Sequence, residues 1–229
     1  TSMSKTFFVT GTDTDVGKTT STIALLHAAA AQGLKAVAYK PVAAGCEIME
    51  DGLCNQDVLL LQKNSTIPLS YEQVVGYSFE PFSSPHIAAD ESGVTIRLEV
   101  LSEGLHNLQK NSGADIIFVE GAGGWRVPIG HAHFLSDWVK YENLPVIMVV
   151  GARLGCINHA VLTYEAIHHD MLPLAGWCIN RINPAMSHYQ SNMETLKSLL
   201  PAPYMGEIPY INKPYEHNLG KYLDITPLL

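Results

Sequence analysis

Short apolar runs recur along the chain, and stretches with helical periodicity lie between several of them. The runs predict five strands: Thr6–Thr10, Lys35–Lys40, Asp115–Glu120, Pro145–Gly151 and Leu174–Asn180. The helical stretches predict four helices: Lys18–Gln32, Arg97–Lys110, Asn158–His169 and Met186–Leu200. Most runs are apolar at successive positions, which is typical of strands covered on both faces. The pattern therefore predicts an α/β fold with a mostly parallel central sheet and helices on both faces.

The chain contains no internal repeat, low-complexity tract or change of composition that would mark a linker. We therefore predict a single domain over residues 1–229, with Thr1 and Ser2 before Met3 interpreted as a cloning remnant. The stretch Phe79–His86 is rich in Pro and Ser, but patterned segments continue on both sides of it. It is interpreted as a long functional loop.

The charge balance is acidic, with 14 Lys and Arg against 22 Asp and Glu, a formal charge of -8. This balance disfavours nucleic acids and anionic membranes, so neither is expected as a partner. The longest apolar runs, such as the one that begins at Leu144, fall well short of the roughly 20 residues of a membrane helix. The N-terminus lacks the features of a secretory signal, which predicts a cytoplasmic location.

The four cysteines form no C-x-x-C pair, and the ten histidines form no recognisable ligand set. Free thiols in a reducing compartment are therefore expected, and a metal site built from histidine is not. The cysteines are Cys46, Cys54, Cys156 and Cys178.

A phosphate-loop pattern follows the first predicted strand. Gly17, Lys18 and Thr19 match the end of G-x-x-x-x-G-K-[ST], directly before a predicted helix. In such a loop the glycine lets the backbone curl around an anion, the lysine reaches the β and γ phosphates, and the hydroxyl ligates magnesium. The N-terminus of the helix attracts the same anion. The sequence therefore predicts nucleotide binding, because a simple turn would not require this combination.

The beginning of this loop departs from the pattern. Thr12 occupies the position of the first glycine, and the nearest glycine is Gly11, one residue earlier. Asp13 and Asp15 add negative charge where an anion should bind. Two roles are open for these acids, to fix the shape of the loop or to order water around a magnesium ion.

Three further charged residues are candidates for the same site, and two of them end predicted strands. Lys40 ends the second predicted strand, where it is either a ligand-binding cation or a solvated surface residue. Glu120 ends the third strand before the glycine-rich stretch 121–124, where many nucleotide hydrolases keep a magnesium-linked acid. The alternative is a glycine-rich turn with an incidental acid. Asp57 is either a metal ligand or the N-cap of a helix.

Six segments occur in this order: "GTDTDVGKTT", "YKPVAAG", "SPHIAA", "VEGAGGW", "LPVIMVVGARLGCINHAVLT" and "GEIPY". With them the chain resembles the dethiobiotin synthetase family of biotin biosynthesis over about its whole length. The first and fourth segments are specific to this family and its closest relatives. The resemblance implies a P-loop NTPase-like fold with a modified phosphate loop, in which Thr12 and its neighbours replace the first glycine.

The resemblance also implies an ATP- and Mg²⁺-dependent ligase. In that reaction CO₂ adds to 7,8-diaminopelargonic acid, the resulting carbamate is phosphorylated by ATP, and the second amine closes a cyclic urea. The carbamate is an anion that approaches a triphosphate, so several cations must offset charge. By resemblance, Lys40 and Lys18 are catalytic, and Thr19, Asp57 and Glu120 surround the magnesium.

The remaining site residues are carried over from the family in the same way. The ATP site would comprise Asp13, Thr14, Asp15, Val16, Gly17, Lys18, Thr19, Thr20, Asp57, Glu120, Gly121, Ala122, Gly123, Asn180, Ile208, Pro209 and Tyr210. The diamine site would comprise Thr12, Lys40, Ala44, Gly123, Leu154, Gly155, Cys156, Ile157 and Asn158. Members of the family form homodimers. The resemblance therefore implies that the turn Leu154–Asn158 receives the substrate carboxylate from the neighbouring subunit. On physical grounds, a glycine before a helix start is a plausible anion site.

Two positions depart from the family. Ala44 replaces a serine that many members have, which predicts the loss of one substrate hydrogen bond, typically about 0.5 to 1.5 kcal/mol, and not of the reaction. Arg181 replaces a common aspartate near the base, where a group that only donates hydrogen bonds could change nucleotide preference.

Three other functions use the same type of loop. Partitioning-type ATPases usually carry an additional lysine early in the loop, which this chain lacks. Amide-forming ligases related to cobyrinic acid synthesis normally add a glutamine-hydrolysing domain, for which 229 residues leave no room. A nucleotide-binding module without catalysis is disfavoured by the presence of Lys18, Lys40, Asp57 and Glu120 together.

Overall fold

The computed structural model of the protein describes residues 3–229, so that Thr1 and Ser2, interpreted as a cloning remnant, lie outside the described residues. A seven-stranded sheet runs through the molecule. Its strands are β1 (Lys5–Gly11), β2 (Ala36–Ala43), β5 (Val75–Ser78), β6 (Ile116–Glu120), β7 (Val146–Gly151), β8 (Leu174–Asn180) and β9 (Tyr204–Ile208). Their order is β5-β2-β6-β1-β7-β8-β9, and all neighbouring strands pair in parallel. A separate antiparallel hairpin consists of β3 (Glu47–Met49) and β4 (Gly52–Cys54).

Within residues 3–229, eight α-helices connect the strands. They are α1 (Lys18–Ala31), α2 (Gln56–Asn64), α3 (Tyr71–Val74), α4 (Pro85–Glu91), α5 (Leu98–Asn111), α6 (Leu135–Glu142), α7 (Cys156–His169) and α8 (Tyr189–Leu199). The described residues also contain three short 3₁₀ helices, at Pro214–Glu216, Gly220–Tyr222 and Thr226–Leu228. In the part of the chain from Met3 to Leu229, none of the helices has the length and apolar character needed to cross a membrane.

The core lies on both faces of the sheet. In β1, Val9 belongs to a buried cluster with Ile23 of α1. The preceding side chain, Phe8, points to the other face and belongs to a cluster with Leu105 of α5 and Trp138 of α6. A third cluster lies between β7, β8 and the helices α7 and α8. Burying each such side chain stabilises the fold by about 1.5 to 3 kcal/mol. The predicted α/β class with a mostly parallel, doubly covered sheet is confirmed.

The predicted elements agree with the observed ones except at several boundaries and edges. The helix predicted from Asn158 already begins at Cys156, and the helix predicted from Met186 begins only at Tyr189, after His188 in a left-handed conformation with φ 52°. The sequence does not predict the edge strands β5 and β9, the hairpin β3–β4, or helices α2, α3, α4 and α6. β5 has only four residues, and β9 contains a glycine and a glutamate, so neither shows a long apolar run.

The register of the sheet brings distant segments to one edge. Val9 of β1 pairs with Glu120 at the end of β6, and Gly11 pairs with Val149 of β7. Asn180 at the end of β8 pairs with both Gly151 and Ile208. The loops that follow β1, β2, β6, β7 and β8 therefore meet beyond the carboxyl ends of the strands, where parallel sheets bind ligands.

The four cysteines are free thiols, as predicted, and three of them are buried. Burial raises the pKa of the Cys178 thiol to about 12, which the nearby Ser21 hydroxyl opposes only in part. A buried thiol with a raised pKa is unreactive, so this cysteine contributes to packing.

Candidate active site

An open cleft of about 780 Å³ lies at the carboxyl edge of the sheet. Most residues that the sequence predicts for the site line this cleft: Thr14, Asp15, Gly17, Lys18, Thr19, Thr20, Lys40, Ala44, Asp57, Glu120, Ala122, Gly123, Asn180, Pro209 and Tyr210. The other predicted residues are not among the described residues that line it: Thr12, Asp13, Val16, Gly121, Ile208 and the turn Leu154–Asn158. The fold thus gathers five segments that are distant in the sequence, at the ends of β1, β2, β6, β8 and β9, around one space.

The shifted glycine of the phosphate loop has a steric reason. The backbone N–H of Thr12 donates to Val149 O at 3.0 Å, so Thr12 still follows the edge of β7. The chain folds back over Gly11, where an added Cβ would lie 2.7 Å from Val16 Cγ2 and 3.1 Å from Lys18 Cγ. Glycine is therefore required at position 11, and a side chain is tolerated at position 12.

Asn180 contacts the C-terminal end of the phosphate loop. Gly17 has φ 86°, and its backbone lies against Asn180, whose Nδ2 donates to Val16 O at 3.0 Å. An added Cβ on Gly17 would lie 1.6 Å from that Nδ2. Since the amide nitrogen is engaged with the loop, the amide oxygen is the group that Asn180 offers to an amino group on a base.

Replacing Gly17 by alanine is expected to weaken ATP binding by at least about 10-fold, because a left-handed non-glycine residue costs roughly 1 to 2 kcal/mol and the new methyl group displaces Asn180. Gly113 provides a matched control, since it has a similar φ of 78° but, among residues 3–229, nothing within 4 Å of an added Cβ. Titration calorimetry with a non-hydrolysable ATP analogue measures both variants. Equal affinities of the two variants would show that the contact with Asn180 is unimportant.

Lys40, Glu120 and Thr19 form a buried polar cluster at the base of the cleft. Thr19 Oγ1 donates to Glu120 Oε1 at 2.7 Å, and Lys40 Nζ lies 3.7 Å from the same oxygen. Lys40 Nζ also donates to Gly121 O at 3.3 Å. Burial raises the pKa of Glu120, and the charge of Lys40 opposes that rise. The cluster keeps a lysine and a carboxylate together in a site that excludes much of the water.

Lys18 lies beside this cluster and is only 8% exposed. Burial lowers the pKa of Lys18 to about 8, the neighbouring charge of Lys40 acts in the same direction, and Glu120 and Asp15 oppose it. Two buried lysines next to each other are unfavourable by themselves. An anion bound between them would relieve this repulsion, which matches the need of a phosphate or carbamate group for cations.

Asp57 is not the N-cap of its helix. Asn55 caps α2, since its side chain accepts a hydrogen bond from Val58 N at 3.1 Å. Asp57 stands in the first turn of α2 and lines the cleft. The N-cap alternative for Asp57 is therefore wrong, and its carboxylate is available to the site.

The oxygen atoms of this cluster fit a magnesium ion. Glu120 Oε2 is buried and has no hydrogen-bond partner among the residues that the structure describes, and the Thr19 hydroxyl contacts the same carboxylate. Over residues 3–229, no three His, Cys, Asp or Glu side chains are grouped as a complete metal cage. Magnesium bound with nucleotides usually takes one or two carboxylates and completes its shell with phosphate oxygens and water. Thr19, Asp57 and Glu120 suit that type of site.

The turn Leu154–Asn158 forms the start of α7. Gly155 has φ 96° and is the N-cap, and both Leu154 and Gly155 are exposed. Cys156 N donates to Arg153 O at 3.0 Å, which closes the turn. The exposed start of a helix of this length attracts an anion.

The two departures from the family lie in the cleft. Ala44 lines it, and its carbonyl accepts a hydrogen bond from Asn55 Nδ2 at 3.1 Å. Arg181 also lines it, and its guanidinium lies 4.0 Å from the centre of the Tyr189 ring. The Tyr189 ring holds the guanidinium by a cation–π contact.

Several cleft residues are absent from the predicted site. They are Val42, Asn55, Phe82, Ser83, Ser84, Pro85, Gly124, Arg126, Val127, Pro128, Ile182, Ile211, Pro214 and Tyr215. The segment 82–85 falls within the stretch interpreted as a functional loop. Val42 and Gly124 fall within the segments "YKPVAAG" and "VEGAGGW". The others come from loops and from the C-terminal segment, where no periodicity or motif marks them. Only their position after parallel strands could have indicated them.

The sequence of the chain is similar to a protein family and to individual proteins. A family model described as an AAA domain matches residues 5–217. The ATP-dependent dethiobiotin synthetase BioD of Tolumonas auensis is 82% identical over 227 residues, which cover 99% of this chain and 100% of that protein. The protein of the same name from Aeromonas hydrophila is 56% identical with the same coverage.

Solved structures show the fold alone. The MinD cell division protein of Aquifex aeolicus has a TM-score of 0.58 at 19% identity, over 96% of this chain and 88% of that chain. A ParA family ATPase from Chlorobium tepidum has a TM-score of 0.54 at 16% identity, over 96% of this chain and 90% of that chain.

Proposed function

The chain belongs to the family of ATP-dependent dethiobiotin synthetases, and on that premise we propose that it forms dethiobiotin from 7,8-diaminopelargonic acid, CO₂ and ATP. The family predicted from the sequence motifs is confirmed. The observation that carries the proposal is the placement of Lys40 against Glu120 at the end of the phosphate loop, in one cleft with Lys18 and Ala44. The enzyme is thus a ligase of biotin biosynthesis.

Lys40 and Lys18 are proposed to act on the two anions of this reaction. One amine of the substrate attacks CO₂ and loses a proton to water, and Lys40 holds the resulting carbamate. A carbamate oxygen then takes the γ-phosphoryl group of ATP, with Lys18 between the two anions, and ADP is formed. The second amine attacks the carbamate carbon and loses a proton to water, the bond from that carbon to the phosphorylated oxygen breaks, and the ring closes with release of phosphate. Holding the reactants in line can supply roughly 7 to 11 kcal/mol without a covalent enzyme intermediate.

Magnesium and the protein share the neutralisation of charge. Thr19, Asp57 and Glu120 would hold the ion, which supplies Lewis-acid stabilisation of the charge on the phosphates. Thr12 and Gly123 are proposed to contact the diamine, and Asp13–Thr20, Gly121, Ala122, Asn180 and Ile208–Tyr210 to surround ATP. Asn180 and Arg181 are proposed to lie near the adenine base, where they would set nucleotide preference.

Replacing Glu120 by glutamine is expected to raise the magnesium concentration for half-maximal activity by about 10-fold or more, because a carboxylate ligand becomes neutral. Glu103→Gln is the control, since Glu103 is exposed on α5. The measurement is a magnesium titration of dethiobiotin formation at saturating ATP. Superimposable titration curves for Glu120→Gln and wild type would remove Glu120 from the proposed metal site.

We further propose that the chain acts in the cytoplasm as a single domain and forms a homodimer, in which the turn Leu154–Asn158 binds the substrate carboxylate of the neighbouring subunit. The position of this exposed turn outside the cleft of its own chain supports the proposal. The acidic charge of -8 supports the absence of nucleic-acid and membrane partners. Sedimentation equilibrium tests the dimer, which has twice the chain mass of 25.0 kDa.

The decisive experiment measures ADP release from the purified protein with ATP, magnesium and bicarbonate, with and without 7,8-diaminopelargonic acid. Mass spectrometry detects dethiobiotin in the same samples. The expected result is ADP and dethiobiotin only when the diamine is present. ADP release that does not depend on the diamine would point instead to a nucleotide-driven switch or to another substrate.

A further inference from the structure

One ion pair joins the phosphate loop to the turn before α7. The guanidinium Nη2 of Arg153 donates to Asp13 Oδ2. Asp13 follows β1 and Arg153 follows β7, and these two strands are neighbours in the sheet. The pair therefore connects two loops that are 140 residues apart in the sequence and have separate roles in the proposed reaction.

The Asp13 side of the pair is bound into the phosphate loop. Asp13 Oδ1 accepts a hydrogen bond from Thr14 N at 2.7 Å, and Asp13 O accepts one from Lys18 Nζ at 3.5 Å. The hydrogen bond from Thr14 lowers the pKa of Asp13, burial opposes this, and the charge of Arg153 lowers it further. One carboxylate oxygen thus holds the loop and the other faces Arg153, which explains how an acid is accommodated in a loop that receives anions.

The Arg153 side belongs to the turn that begins α7. Arg153 O accepts the backbone N–H of Cys156 at 3.0 Å, and Gly155 at φ 96° completes the turn between them. A displacement of Arg153 would therefore displace the backbone N–H groups of Leu154–Cys156. The side chain of Arg153 is tied to the phosphate loop, so the turn has a fixed position relative to that loop.

We infer that the Asp13–Arg153 ion pair positions the turn Leu154–Asn158 for the substrate carboxylate, relative to the phosphate loop. Both residues are positioning residues, which act through the backbone of the turn. The inference rests on the proposed function. In the proposed dimer, the pair connects the nucleotide site of one subunit to the carboxylate site that serves the other.

The role of the pair in folding is expected to be small. The side chains of Arg153 and Asp13 are 36% and 47% exposed, and exposed ion pairs contribute little to stability. The backbones of the two loops are anchored independently, by Thr12 N to Val149 O at 3.0 Å and by Ala152 N to Asn180 O at 2.9 Å. Removing the pair should therefore shift the turn without unfolding the sheet.

Asp13→Asn is the sharpest test, because asparagine keeps the oxygen that accepts from Thr14 N and replaces the oxygen that faces Arg153 by an amide nitrogen, so that the charge and the acceptor are both lost. The expected result is an increase of the KM for 7,8-diaminopelargonic acid by about 3- to 5-fold, the range of an exposed ion pair. For Arg153→Gln, which lies outside the proposed ATP and diamine sites, the kcat and the KM for ATP should stay within about twofold, and the Tm should not change. Arg153→Gln should give the same increase, and Arg153→Lys should restore most of the affinity.

The double variant Asp13→Asn/Arg153→Gln is expected to have a KM no higher than that of either single variant, since one interaction is lost in all three. Glu165→Gln is the control, because Glu165 is an exposed carboxylate on α7. Multiplied effects in the double variant, an unchanged KM, or a lower Tm with an unchanged KM would each overturn the inference. A wild-type protein that forms no dethiobiotin would overturn the proposed function and this inference together, whereas an active wild type with unaffected variants would overturn only the inference.

Discussion

Replacing Lys40 by glutamine is expected to lower kcat for dethiobiotin formation by about 10²- to 10³-fold, the usual cost of removing one preorganised group that stabilises transition-state charge. Lys40 is 6% exposed, so water cannot take over the role of its charge. The Kd for ATP should change much less, because Lys18 and the loop N–H groups remain in place. The large effect on kcat would identify Lys40 as a catalytic group acting on the carbamate.

Steady-state kinetics give kcat, and titration calorimetry with a non-hydrolysable analogue gives the Kd for ATP. Lys110→Gln is the matched control, since Lys110 is an exposed lysine in the last turn of α5. The Tm of each variant must also be measured, because the substitution leaves the buried Glu120 without the nearby cation. A Kd for ATP that rises as much as kcat falls would make Lys40 a nucleotide ligand and refute its assignment to the carbamate.

Replacing Asp170 by asparagine is expected to lower the free energy of unfolding by about 2 to 3 kcal/mol. Asp170 is 7% exposed and accepts hydrogen bonds from Trp125 Nε1 at 2.8 Å and from Arg126 Nη1 and Nη2 at 2.6 and 3.0 Å. Lys140 Nζ lies 3.9 Å away. Asparagine would leave these donors partly unsatisfied. Because the Arg126 side chain is 38% exposed, the expected loss of stability is smaller than for a fully buried pair.

The effect is expected to depend on pH in a defined direction. Burial alone would raise the pKa of Asp170, but the hydrogen bonds from Arg126 and Trp125 and the nearby positive charges hold this pKa below its usual value of 3.8. A carboxyl with a lowered folded-state pKa contributes stability above the unfolded value and loses it as the pH falls through the folded value. The difference in stability between wild type and Asp170→Asn should therefore be largest near neutral pH and shrink below about pH 4.

Urea denaturation at pH 7, 5 and 3 measures this difference. Asp51→Asn is the control, because Asp51 is exposed in the turn between β3 and β4. A difference that stayed constant over this range would mean that the charge of Asp170 does not stabilise the fold. Because Trp125 and Arg126 follow the glycine stretch after β6, the same variant also tests how firmly that loop is held beside Glu120.

The sequence predicted the centre of the sheet well and its periphery poorly. Continuous apolar runs such as the one in β7 are strong signals, because a strand buried on both faces needs apolar residues at every position. The edge strand β9, with the sequence Tyr-Met-Gly-Glu-Ile, is covered less completely and carries no such run. Its position is decided by pairing with β8, which is a contact between segments and not a property of either segment.

The candidate site was likewise predicted in part. The sequence by itself determined the phosphate loop at Gly17, Lys18 and Thr19 and the family, because these residues are contiguous and their order carries the chemistry. Lys40, Glu120 and Asp57 could be named from the sequence, but only with alternatives. The fold then placed Lys40 3.7 Å from Glu120 and gave the N-cap position of α2 to Asn55.

Only the tertiary structure decided the contacts that hold the site in shape. Asn180 meets the loop at Val16 across 164 residues, and Arg153 meets Asp13 across 140. No local pattern encodes such pairs, because the energy of each contact exists only after the sheet has aligned its strands. Local propensity and contiguous motifs act within a few residues and can therefore be recognised in the sequence. Burial and charge pairing depend on distances that exist only in the folded chain.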